Sequence, residues 1–555
     1  MNAIDRARCR PELHREIFLI FVCALPAALL FSWHASKYGG WLVDDAGISL
    51  AYAKNLATGH GLVAQAGSPP VEGISNPLWT LLLSAAYAAG LLEVPSTLKI
   101  ISHVFVFLGF LAIAASMRSL IKDSNWFVVA GGALLLSSAN PSFVIWSVSG
   151  LENPLMVFLG GMLLLFCANV LTRDLDAPLP LSSACGAGLT AAAMTLTRPD
   201  GLVYIPVFPF TLFIAAQTSA LIRTQLRAFA VHAATLIVPL GAYLVFRLAY
   251  FGEWLPNTFY AKPGTSFEPL VDLIRMQEGG ITKFRELALA LAPALPISLP
   301  VIMCYGAFKL LDFRTPRQSM GPCPLILMTA FSVIGYMMLP TDWMAEFRFG
   351  TLSILFFNCL LLSCAHYLVL HLKGERLNSI ILASLLVAFA SHSYFDFRFR
   401  ADRFSEKPTA PLQTVFRNIY PLQELATRLS LEKPSILIPD LGATLMYSKF
   451  VAIDLAGLCD HEIARMTFNK VGPAEFSEYI LKVRQPHFVH IQGWWALKAG
   501  LEKNPAFIAT YINLGSGNYL RRAALPEKTT DEQVARIYDQ ILNSPPPSWP
   551  PHAQF

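Results

Sequence analysis

The sequence predicts a mostly α-helical polytopic membrane protein with a small α/β domain at its C-terminal end. Of the 555 residues, 54% are hydrophobic and only 14% are charged, whereas soluble proteins carry about 25% charged residues. Apolar runs of about 20 residues, each long enough to cross a hydrocarbon core of roughly 30 Å, recur before residue 395, and the composition becomes polar after Arg398. The net charge of +5 is modest, and membrane topology accounts for it better than nucleic-acid binding does.

Three regions follow from this change in composition. Residues 1–395 are predicted to form a transmembrane domain with a long first external loop at 37–97. Residues 396–545 are predicted to form an extracytoplasmic α/β domain, and the proline-rich tail at 546–555 is expected to be disordered or extended. Nine cysteines are present, and only Cys459 lies in the polar domain. The cysteines therefore predict neither a disulfide framework nor a metal-ligand motif.

The apolar runs also predict a topology. Arginines before the first helix place the N-terminus in the cytoplasm, and the run at 17–36 is predicted as a retained helix because no small-residue cleavage site precedes Trp33. The run at 77–92 is short and begins at Asn76-Pro77, so it is predicted as a re-entrant or interfacial helix that does not cross.

With that choice, about eleven spans keep the basic loops cytoplasmic. The polar domain then lies outside a bacterial inner membrane, in the periplasm. The predicted spans after the first are 98–117, 126–146, 154–172, 183–197, 201–217, 229–251, 288–310, 322–340, 349–370 and 378–394.

This topology gathers the unusual polar residues on one external face. The adjacent carboxylates Asp44 and Asp45 come just after the first apolar helix, where they repel each other. Charged groups at membrane depth are costly and usually mark a substrate path, so we expect the polar groups to converge on one cavity at the outer membrane surface. The other members of the set are Glu72, Glu152, Arg198, Asp200, Asn257, Lys262, Asp342 and Arg348.

Each of these residues also has a purely structural interpretation, and the sequence leaves both open. The structural alternatives are a helix cap for the aspartate pair, a helix-dipole partner for Glu152, mutual pairing of Arg198 with Asp200, interfacial snorkelling for Lys262 and Arg348, and a turn for Asn257. Their joint placement on one face favours the functional interpretation.

Taken in order, the motifs resemble those of polytopic glycosyltransferases of the GT-C class. Within that class the sequence is most similar to the mycobacterial terminal arabinofuranosyltransferase family and its Gram-negative relatives. The motifs that carry the resemblance are Asp44-Asp45-Ala46-Gly47, Glu72-Gly73-Ile74-Ser75-Asn76-Pro77, Ser149-Gly150-Leu151-Glu152, Arg198-Pro199-Asp200-Gly201, Pro256-Asn257-Thr258 with Lys262, and Asp342-Trp343-Met344 with Arg348.

The resemblance implies transfer of a sugar from a polyprenyl-phosphate donor to an envelope glycan or glycolipid acceptor. Asp44 would be the catalytic carboxylate with Asp45 beside it, because an acceptor hydroxyl needs a positioned base and a second carboxylate shifts and couples the titration of the first. Alternatively, the two carboxylates hold a divalent cation, the one cofactor that the sequence suggests.

The resemblance also assigns substrate-binding roles. Cationic side chains would hold the lipid phosphate, with arginine able to grip it through two parallel hydrogen bonds. The candidates for the phosphate are Arg198, Lys262 and Arg348, and those for sugar hydroxyls are Glu72, Glu152 and Asn257. Asp200 and Asp342 belong to the same motifs and complete the predicted substrate-binding set.

The polar domain alternates predicted strands and helices, which indicates a small α/β layer with a partly parallel sheet. The predicted strands are 435–438, 450–454 and 488–491, the predicted helices are 442–447 and 475–483, and 510–512 with 518–520 are expected to form a hairpin. Asp440, Asp454 and Asp460 stand at strand ends or in loops, where capping and turn roles are favoured over glycan binding.

Two other function classes remain open at this point. A transporter or flippase for a lipid-linked glycan would place charged residues near the bilayer midplane of two related halves, whereas the polar motifs here lie at span ends. A structural subunit that recruits cell-wall enzymes through its external domain is a third, weaker alternative.

Overall fold

The computed structural model describes residues 3–122, 124–172, 181–215, 219–262, 271–291 except 273, 298, 300, 301, 303, 304, 322–339, 342–371, 376–545 except 528, and 547–549. The chain divides into two compact units. We call Met1–Gly40, Leu98–Tyr243 and Ser266–Thr409 the helical unit, and Trp41–Thr97, Leu244–Thr265 and Ala410–Phe555 the sheet unit.

Helices dominate the structure, and one small sheet is present. The α-helices are α1 Ala3–Ser36, α2 Asp44–Ala57, α3 Pro77–Ala88, α4 Ser96–Leu120, α5 Trp126–Ala139, α6 Pro141–Ser147, α7 Asn153–Leu171, α8 Leu181–Thr197, α9 Val207–Ala215, α10 Ser219–Phe251, α11 Asn257–Ala261, α12 Glu278–Leu291, α13 Cys323–Met338, α14 Thr351–His371, α15 Arg376–Glu406, α16 Leu412–Arg428, α17 Gly442–Tyr447, α18 His461–Phe468, α19 Pro473–Tyr479, α20 Trp494–Ala499, α21 Pro505–Thr510 and α22 Asp531–Leu542. Short 3₁₀ segments lie at Pro199–Tyr204, Arg348–Gly350 and Arg522–Ala524, and a π-helical turn lies at Ile480–Arg484.

The helices confirm a multi-pass membrane protein but not the predicted number of spans. In the described residues, the helices long and apolar enough to cross a membrane are His14–Ser36, Ser96–Leu120, Asn153–Leu171, Gln225–Phe251 and Arg348–Leu368. The bent pair α5 and α6 adds a sixth if it forms one span. The apolar helices Pro77–Ala88, Pro199–Ala215 and Cys323–Met338 are shorter. Most of the predicted span 288–310, and the basic loop that follows it, lie outside the described residues.

The predicted straight span at 126–146 is bent. Its two halves, α5 and α6, meet at 74°. Asn140 separates them, and its side chain accepts a hydrogen bond from the backbone N–H of Phe143 and so caps α6. Pro141 is the first residue of α6 and has no N–H to continue the hydrogen bonds of α5. The Asn-Pro pair therefore ends one helix and begins the next.

Glycines allow close helix packing inside the helical unit. A Cβ atom placed on Gly161 of α7 would lie 2.9 Å from the carbonyl oxygen of Gly109 in α4. Small residues at such crossings let backbones approach closely, which is a usual means of helix association in membranes. The two candidate spans α4 and α7 are thus in backbone contact.

The sheet unit is organised around five strands: β1 Ser435–Ile438, β2 Val451–Asp454, β3 Phe488–His490, β4 Tyr511–Gly515 and β5 Asn518–Arg521. Their order is β2-β1-β3-β5-β4, with β1 parallel to β2 and β3, and β5 antiparallel to β3 and β4. The predicted partly parallel sheet and its terminal hairpin are therefore present. One face packs on a core that includes Leu437, Ile453, Ile463, Phe476, Val489 and Phe507.

Most of the predicted first external loop belongs to the sheet unit. Residues 37–97 were predicted to be part of the transmembrane domain, whereas the structure packs Trp41–Thr97 with the C-terminal residues. Val43 forms an antiparallel bridge with Pro411, and the Gln65 side chain donates to the carbonyl of Phe450 at 2.7 Å and accepts from the N–H of Ala452 at 3.0 Å. The loop therefore extends the body that carries the sheet.

The proline-rich tail is described at residues 547–549 only. The Trp549 ring lies 5.5 Å from that of Phe416 on α16 and 5.3 Å from that of Tyr447 on α17, between ring centres. An aromatic side chain gains free energy by leaving water, so these contacts hold Trp549 against the sheet unit, and the disordered or extended tail stays a prediction.

Candidate functional site

Asp44 is the first residue of α2 and is buried in the sheet unit, with only 4% of its surface exposed. Both carboxylate oxygens accept backbone hydrogen bonds from the start of α17. The N–H of Gly442 donates to Oδ2 and the N–H of Ala443 to Oδ1, each at 2.8 Å. Asp44 therefore caps a helix nearly 400 residues further along the chain and ties α2 to the sheet.

Glycine at position 442 makes this contact possible. A Cβ atom on Gly442 would lie 1.8 Å from the carbonyl oxygen of Asp44, and one on Gly47 would lie 2.6 Å from the carbonyl carbon of Gly442. Such separations are shorter than any van der Waals contact, so a side chain at either position would push the two helices apart. The two glycines explain how α2 and α17 come into backbone contact.

A group of carboxylates surrounds this contact. Burial raises the pKa of Asp44 to about 8, although the hydrogen bond from Ala443 opposes this, and the charges of Asp440 and Asp45 add to the increase. Burial also raises the pKa of Asp440, with His490 opposing and Asp45 adding to the effect. Asp45 itself is half-buried. The sheet unit thus holds three interacting carboxylates, of which Asp44 is the most enclosed.

Glu72 and Asn257, two further predicted site residues of the sheet unit, bind other groups of the protein. Glu72 is 2% exposed and forms a two-pronged ion pair with Arg247, with Nε–Oε2 at 2.6 Å and Nη2–Oε1 at 3.1 Å. The Asn257 amide donates to the carbonyls of Gly457 and Leu458 at 2.8 and 2.9 Å. These contacts hold residues 41–97, the end of α10 and the sheet in one body.

Lys262 contrasts with these residues because its side chain is exposed. It follows α11 as the C-cap, and its backbone N–H donates to the carbonyl of Thr258. The sheet unit therefore contains Asp44, Asp45, Glu72, Asn257 and Lys262, and the remaining predicted residues lie in the helical unit.

In the helical unit, Arg198 pairs with two acids. Its Nη1 lies 3.0 Å from Oε1 of Glu152 and its Nε 2.9 Å from Oδ1 of Asp200. Burial alone would lower the pKa of Arg198, and the two carboxylates more than offset this, so the net direction is upward. The predicted alternative of mutual pairing between Arg198 and Asp200 is present, and Glu152 joins it.

Arg348 stands at the end of an unusual loop. Its Nε lies 2.8 Å from Oδ2 of Asp342, and its guanidinium carbon lies 4.7 Å from the ring centre of Phe349. The guanidinium carbon of Arg198 lies 5.0 Å from the same ring centre. The structure thus brings both predicted arginines to one aromatic side chain, through cation–π contacts that are stronger where water is excluded.

The residues before Arg348 have left-handed backbone conformations. Glu346 has φ = 64° and Phe347 has φ = 50°, which side-chain-bearing residues adopt at a cost of order 1 kcal/mol each. The conformation is held by its surroundings: Arg400 of α15 binds the Glu346 carboxylate, and the Trp146 indole N–H donates to the Glu346 carbonyl at 2.7 Å. Two separate segments of the helical unit, α6 and α15, therefore hold the loop that carries Arg348.

A cavity of about 210 Å³ opens beside Arg348. Its wall also includes Lys283 and Glu286 of α12, Tyr336 of α13, and Asp342. Lys283 is 2% exposed; its Nζ lies 3.2 Å from Glu286 and 4.5 Å from the ring centre of Tyr336. A buried ammonium group beside a cavity is expensive and needs a partner or a ligand. The cavity thus brings the predicted Arg348 and Asp342 together with a buried lysine.

Sequence reasoning missed several of these residues. Lys283 lies in no motif, and only the packing of α12 reveals its burial. Arg247 did carry a signal, because an arginine inside the predicted apolar span 229–251 is rare without a specific partner. The described residues contain no group of three or more His, Cys, Asp or Glu that could hold a metal ion. Each Asp44 oxygen accepts one N–H group and keeps a further lone pair, so the divalent cation at Asp44 and Asp45 stays a prediction.

Comparison with known proteins places the fold. No model of a known protein family matches the sequence. A terminal β-(1→2)-arabinofuranosyltransferase of Mycobacterium tuberculosis is 26% identical over 254 residues, which are 44% of this chain and 38% of that protein. The match thus spans well under half of that relative's length.

Two solved structures of an archaeal oligosaccharyltransferase from Archaeoglobus fulgidus are also similar. The one in complex with an inhibitory peptide and a dolichol-phosphate has a TM-score of 0.53 at 13% identity, over 93% of this chain and 75% of that chain. The apo form has the same TM-score and identity, over 85% and 69% of the two chains. These likenesses confirm the predicted GT-C class at the level of fold.

Proposed function

We propose that this chain, which has the fold of GT-C glycosyltransferases, transfers a sugar from a polyprenyl-phosphate donor to an envelope glycan or lipid acceptor. The observation that carries the proposal is the cavity beside Arg348, where a buried lysine, Lys283, and the half-buried Arg348 line a space inside a unit of membrane helices. The oligosaccharyltransferase that shares the fold was solved with a dolichol-phosphate, which supports the donor class.

The cavity wall carries two cations that suit the phosphate of the donor headgroup, Lys283 and Arg348, together with the carboxylates of Glu286, Asp342 and Glu346. Arg348 would bind the phosphate through parallel hydrogen bonds and Lys283 would add a point charge. The carboxylates of Glu286 and Asp342 in the same wall suit sugar hydroxyls, which donate hydrogen bonds. At about 210 Å³ the cavity is smaller than the roughly 300–1,000 Å³ of a drug-sized pocket, so it would take the headgroup and leave the isoprenoid tail to the lipid.

Arg198 would have a positioning role. Its guanidinium holds the carboxylates of both Glu152 and Asp200, so a phosphate would meet two negative charges there. Because Arg198 and Arg348 contact the same Phe349 ring, Arg198 would instead fix that ring and, through it, the direction of Arg348.

Transfer also needs a base, and we propose for it a carboxylate of the pair at the start of α2. The acceptor hydroxyl gives its proton to a carboxylate while its oxygen bonds the anomeric carbon and the bond from that carbon to the phosphate oxygen breaks, releasing the polyprenyl phosphate. We assign the proton to Asp45, which is half-buried, and make Asp44 its positioning residue, because both Asp44 oxygens already accept backbone N–H groups.

The proposal keeps the predicted topology. The N-terminus would be cytoplasmic, about eleven spans would cross a bacterial inner membrane, and transfer would take place on its periplasmic side.

The test uses membranes that contain the full-length protein and a labelled polyprenyl-phosphate sugar. Arg348→Lys would raise KM for the donor, because losing a hydrogen bond to a charged group costs roughly 1.5–3 kcal/mol, or about 10- to 150-fold. Lys283→Gln is expected to act in the same direction. Arg403→Gln is the matched control, because Arg403 is an exposed cation of the same unit. This substitution should leave KM for the donor unchanged.

The carboxylate assignment is tested separately through the turnover number. Asp45→Asn would lower kcat by about 10²–10⁴-fold with little change in KM, which is the usual size of a lost general base. Full turnover in Asp45→Asn would remove its role. Movement of the lipid-linked sugar across reconstituted vesicles without product formation would replace the transferase by the transporter alternative.

A further inference from the structure

An exposed apolar surface of the sheet unit lies close to the end of α10. Its members are Trp254, Leu255 and Phe259, which follow that helix, and Phe468, the last residue of α18; they are 65%, 40%, 37% and 43% exposed. We call these four residues the aromatic rim. Contiguous exposed apolar side chains usually mark a surface that contacts another molecule or a membrane.

Phe468 joins the rim through packing. Its ring centre lies 6.4 Å from that of Phe259 and 5.4 Å from that of Tyr260. One turn earlier in α18, the Arg465 guanidinium carbon lies 3.5 Å from the Tyr260 ring centre and its Nη2 lies 2.6 Å from a carboxylate oxygen of Glu253. An aromatic contact and an ion pair thus hold α18 against the segment that leaves α10.

The continuity with α10 indicates what covers the rim. Gln225–Phe251 is long and apolar enough to span a membrane, and within the sheet unit its Val245 is 66% exposed. The chain passes from this lipid-facing helix directly into Trp254 and Leu255. Tryptophan is enriched where a membrane helix meets the headgroup layer, because its ring is apolar and its N–H is polar.

We propose that the aromatic rim lies in the interfacial layer of the bilayer, so that Phe468 of the sheet unit contacts lipid directly. The cationic Arg465 and the ion-paired Glu253 border the rim and suit the polar headgroup level. The consequence is that α18, and the sheet packed behind it through Ile463, is held at the membrane surface by its own side chains as well as by the chain connection. This inference does not depend on the proposed transferase activity.

A second exposed apolar pair provides the comparison. Trp494 and Leu497 of α20 are 63% and 67% exposed, which is more than Phe468. However, α20 lies between β3 and β4 along the chain and follows no candidate span. Exposure alone would therefore rank Leu497 above Phe468 as a lipid contact, whereas continuity with α10 ranks Phe468 above Leu497.

The experiment places the photocrosslinking amino acid p-benzoylphenylalanine at position 468 in the full-length protein. The substituted residue keeps the aromatic ring, so packing on Phe259 and Tyr260 is preserved. The protein is reconstituted in nanodiscs of phosphatidylethanolamine and phosphatidylglycerol, illuminated, and digested. Mass spectrometry then measures the fraction of each probe-containing peptide that carries a lipid adduct. The same probe at Val245 is the positive control, and at Leu497 it is the negative control.

The expected result is a lipid-adduct fraction at 468 that approaches that of 245 and exceeds that of 497 several-fold. A fraction at 468 equal to or below that at 497, while 245 is labelled, overturns the proposal. Crosslinking of 468 to protein in place of lipid also overturns it, because the rim would then be covered by a protein surface. The probe at 245 distinguishes these outcomes from a failure of the photochemistry.

Discussion

Replacing Gly442 by alanine should separate α17 from Asp44 and destabilise the sheet unit selectively. The added Cβ would sit 1.8 Å from the Asp44 carbonyl oxygen and 3.0 Å from Asp44 Cγ. The first of these neighbours is a backbone atom of a buried helix, so it cannot rotate away as a flexible side chain would. The clash is relieved only if α2 and α17 move apart. That movement also lengthens the two hydrogen bonds from backbone N–H groups to the Asp44 carboxylate.

The magnitude follows from those two effects. Overpacking of a buried site costs about 1–3 kcal/mol, and each weakened hydrogen bond adds about 0.5–1.5 kcal/mol. A loss of roughly 3 kcal/mol or more in the local opening free energy is therefore expected. Gly472→Ala is the matched control in the same unit, since a Cβ there meets nothing within 4 Å and an N-cap change from glycine to alanine costs about 1 kcal/mol or less.

Amide hydrogen exchange of the full-length protein in nanodiscs measures this free energy directly. Peptides covering β1, α17 and β2 should exchange at least a hundredfold faster in Gly442→Ala, since each 1.4 kcal/mol of opening free energy is about tenfold in rate. Peptides of α7 serve as an internal reference in the helical unit. Unchanged protection around residue 442 would refute the argument that Asp44 and α17 form one close-packed joint.

Three further predictions use other contacts. Burial raises the pKa of Asp44 to about 8 in the folded state from a value near 3.9 in the unfolded state, so the folded state binds this proton more tightly. The free energy of unfolding should therefore fall as pH rises from 6 to 8, by about 1.4 kcal/mol per pH unit at most. The melting temperature of Asp44→Asn should not change over the same pH range. Arg198→Gln leaves Glu152 buried without its cation and should cost about 3–5 kcal/mol, largely recovered when Glu152 is also changed to Gln; an additive double variant would contradict the pairing. Arg247→Lys should lower the melting temperature, because lysine cannot reproduce the two parallel bonds to Glu72, whereas an unchanged melting temperature would show that this pair is not needed.

The sequence predicted the sheet more accurately than it predicted the membrane helices. The strands at 435–438 and 488–490 are short apolar segments bounded by turn residues, and such local signals give their bounds within a residue or two. Span counting depends instead on length. A helix such as Cys323–Met338 is apolar but shorter than a span, and the sequence does not show where packing ends it. The number of spans was therefore the less secure part of the prediction.

For the candidate site, the sequence identified charged residues but not their partners. The pairing of Arg198 with Asp200 was readable because the two lie two residues apart at a turn. Pairing with Glu152, or of Glu72 with Arg247, joins segments 46 and 175 residues apart, and nothing local specifies it. The sequence also did not identify Lys283 as a site residue. Its burial comes from the packing of α12 against α13, which no local pattern of the sequence specifies.

The aspartate pair shows how helix geometry changes the meaning of a motif. Read as a sequence, Asp44 and Asp45 form two neighbouring carboxylates that could serve one ligand or share one proton. In the structure they begin α2, and successive residues of an α-helix project about 100° apart. One side chain therefore points into the joint with α17 and the other points elsewhere. Two adjacent acids at a helix start cannot both be the base, so substitutions of the two residues should have different effects. Asp45→Asn should lower the transfer activity and keep the hydrogen-exchange protection of α17. Asp44→Asn should lower that protection.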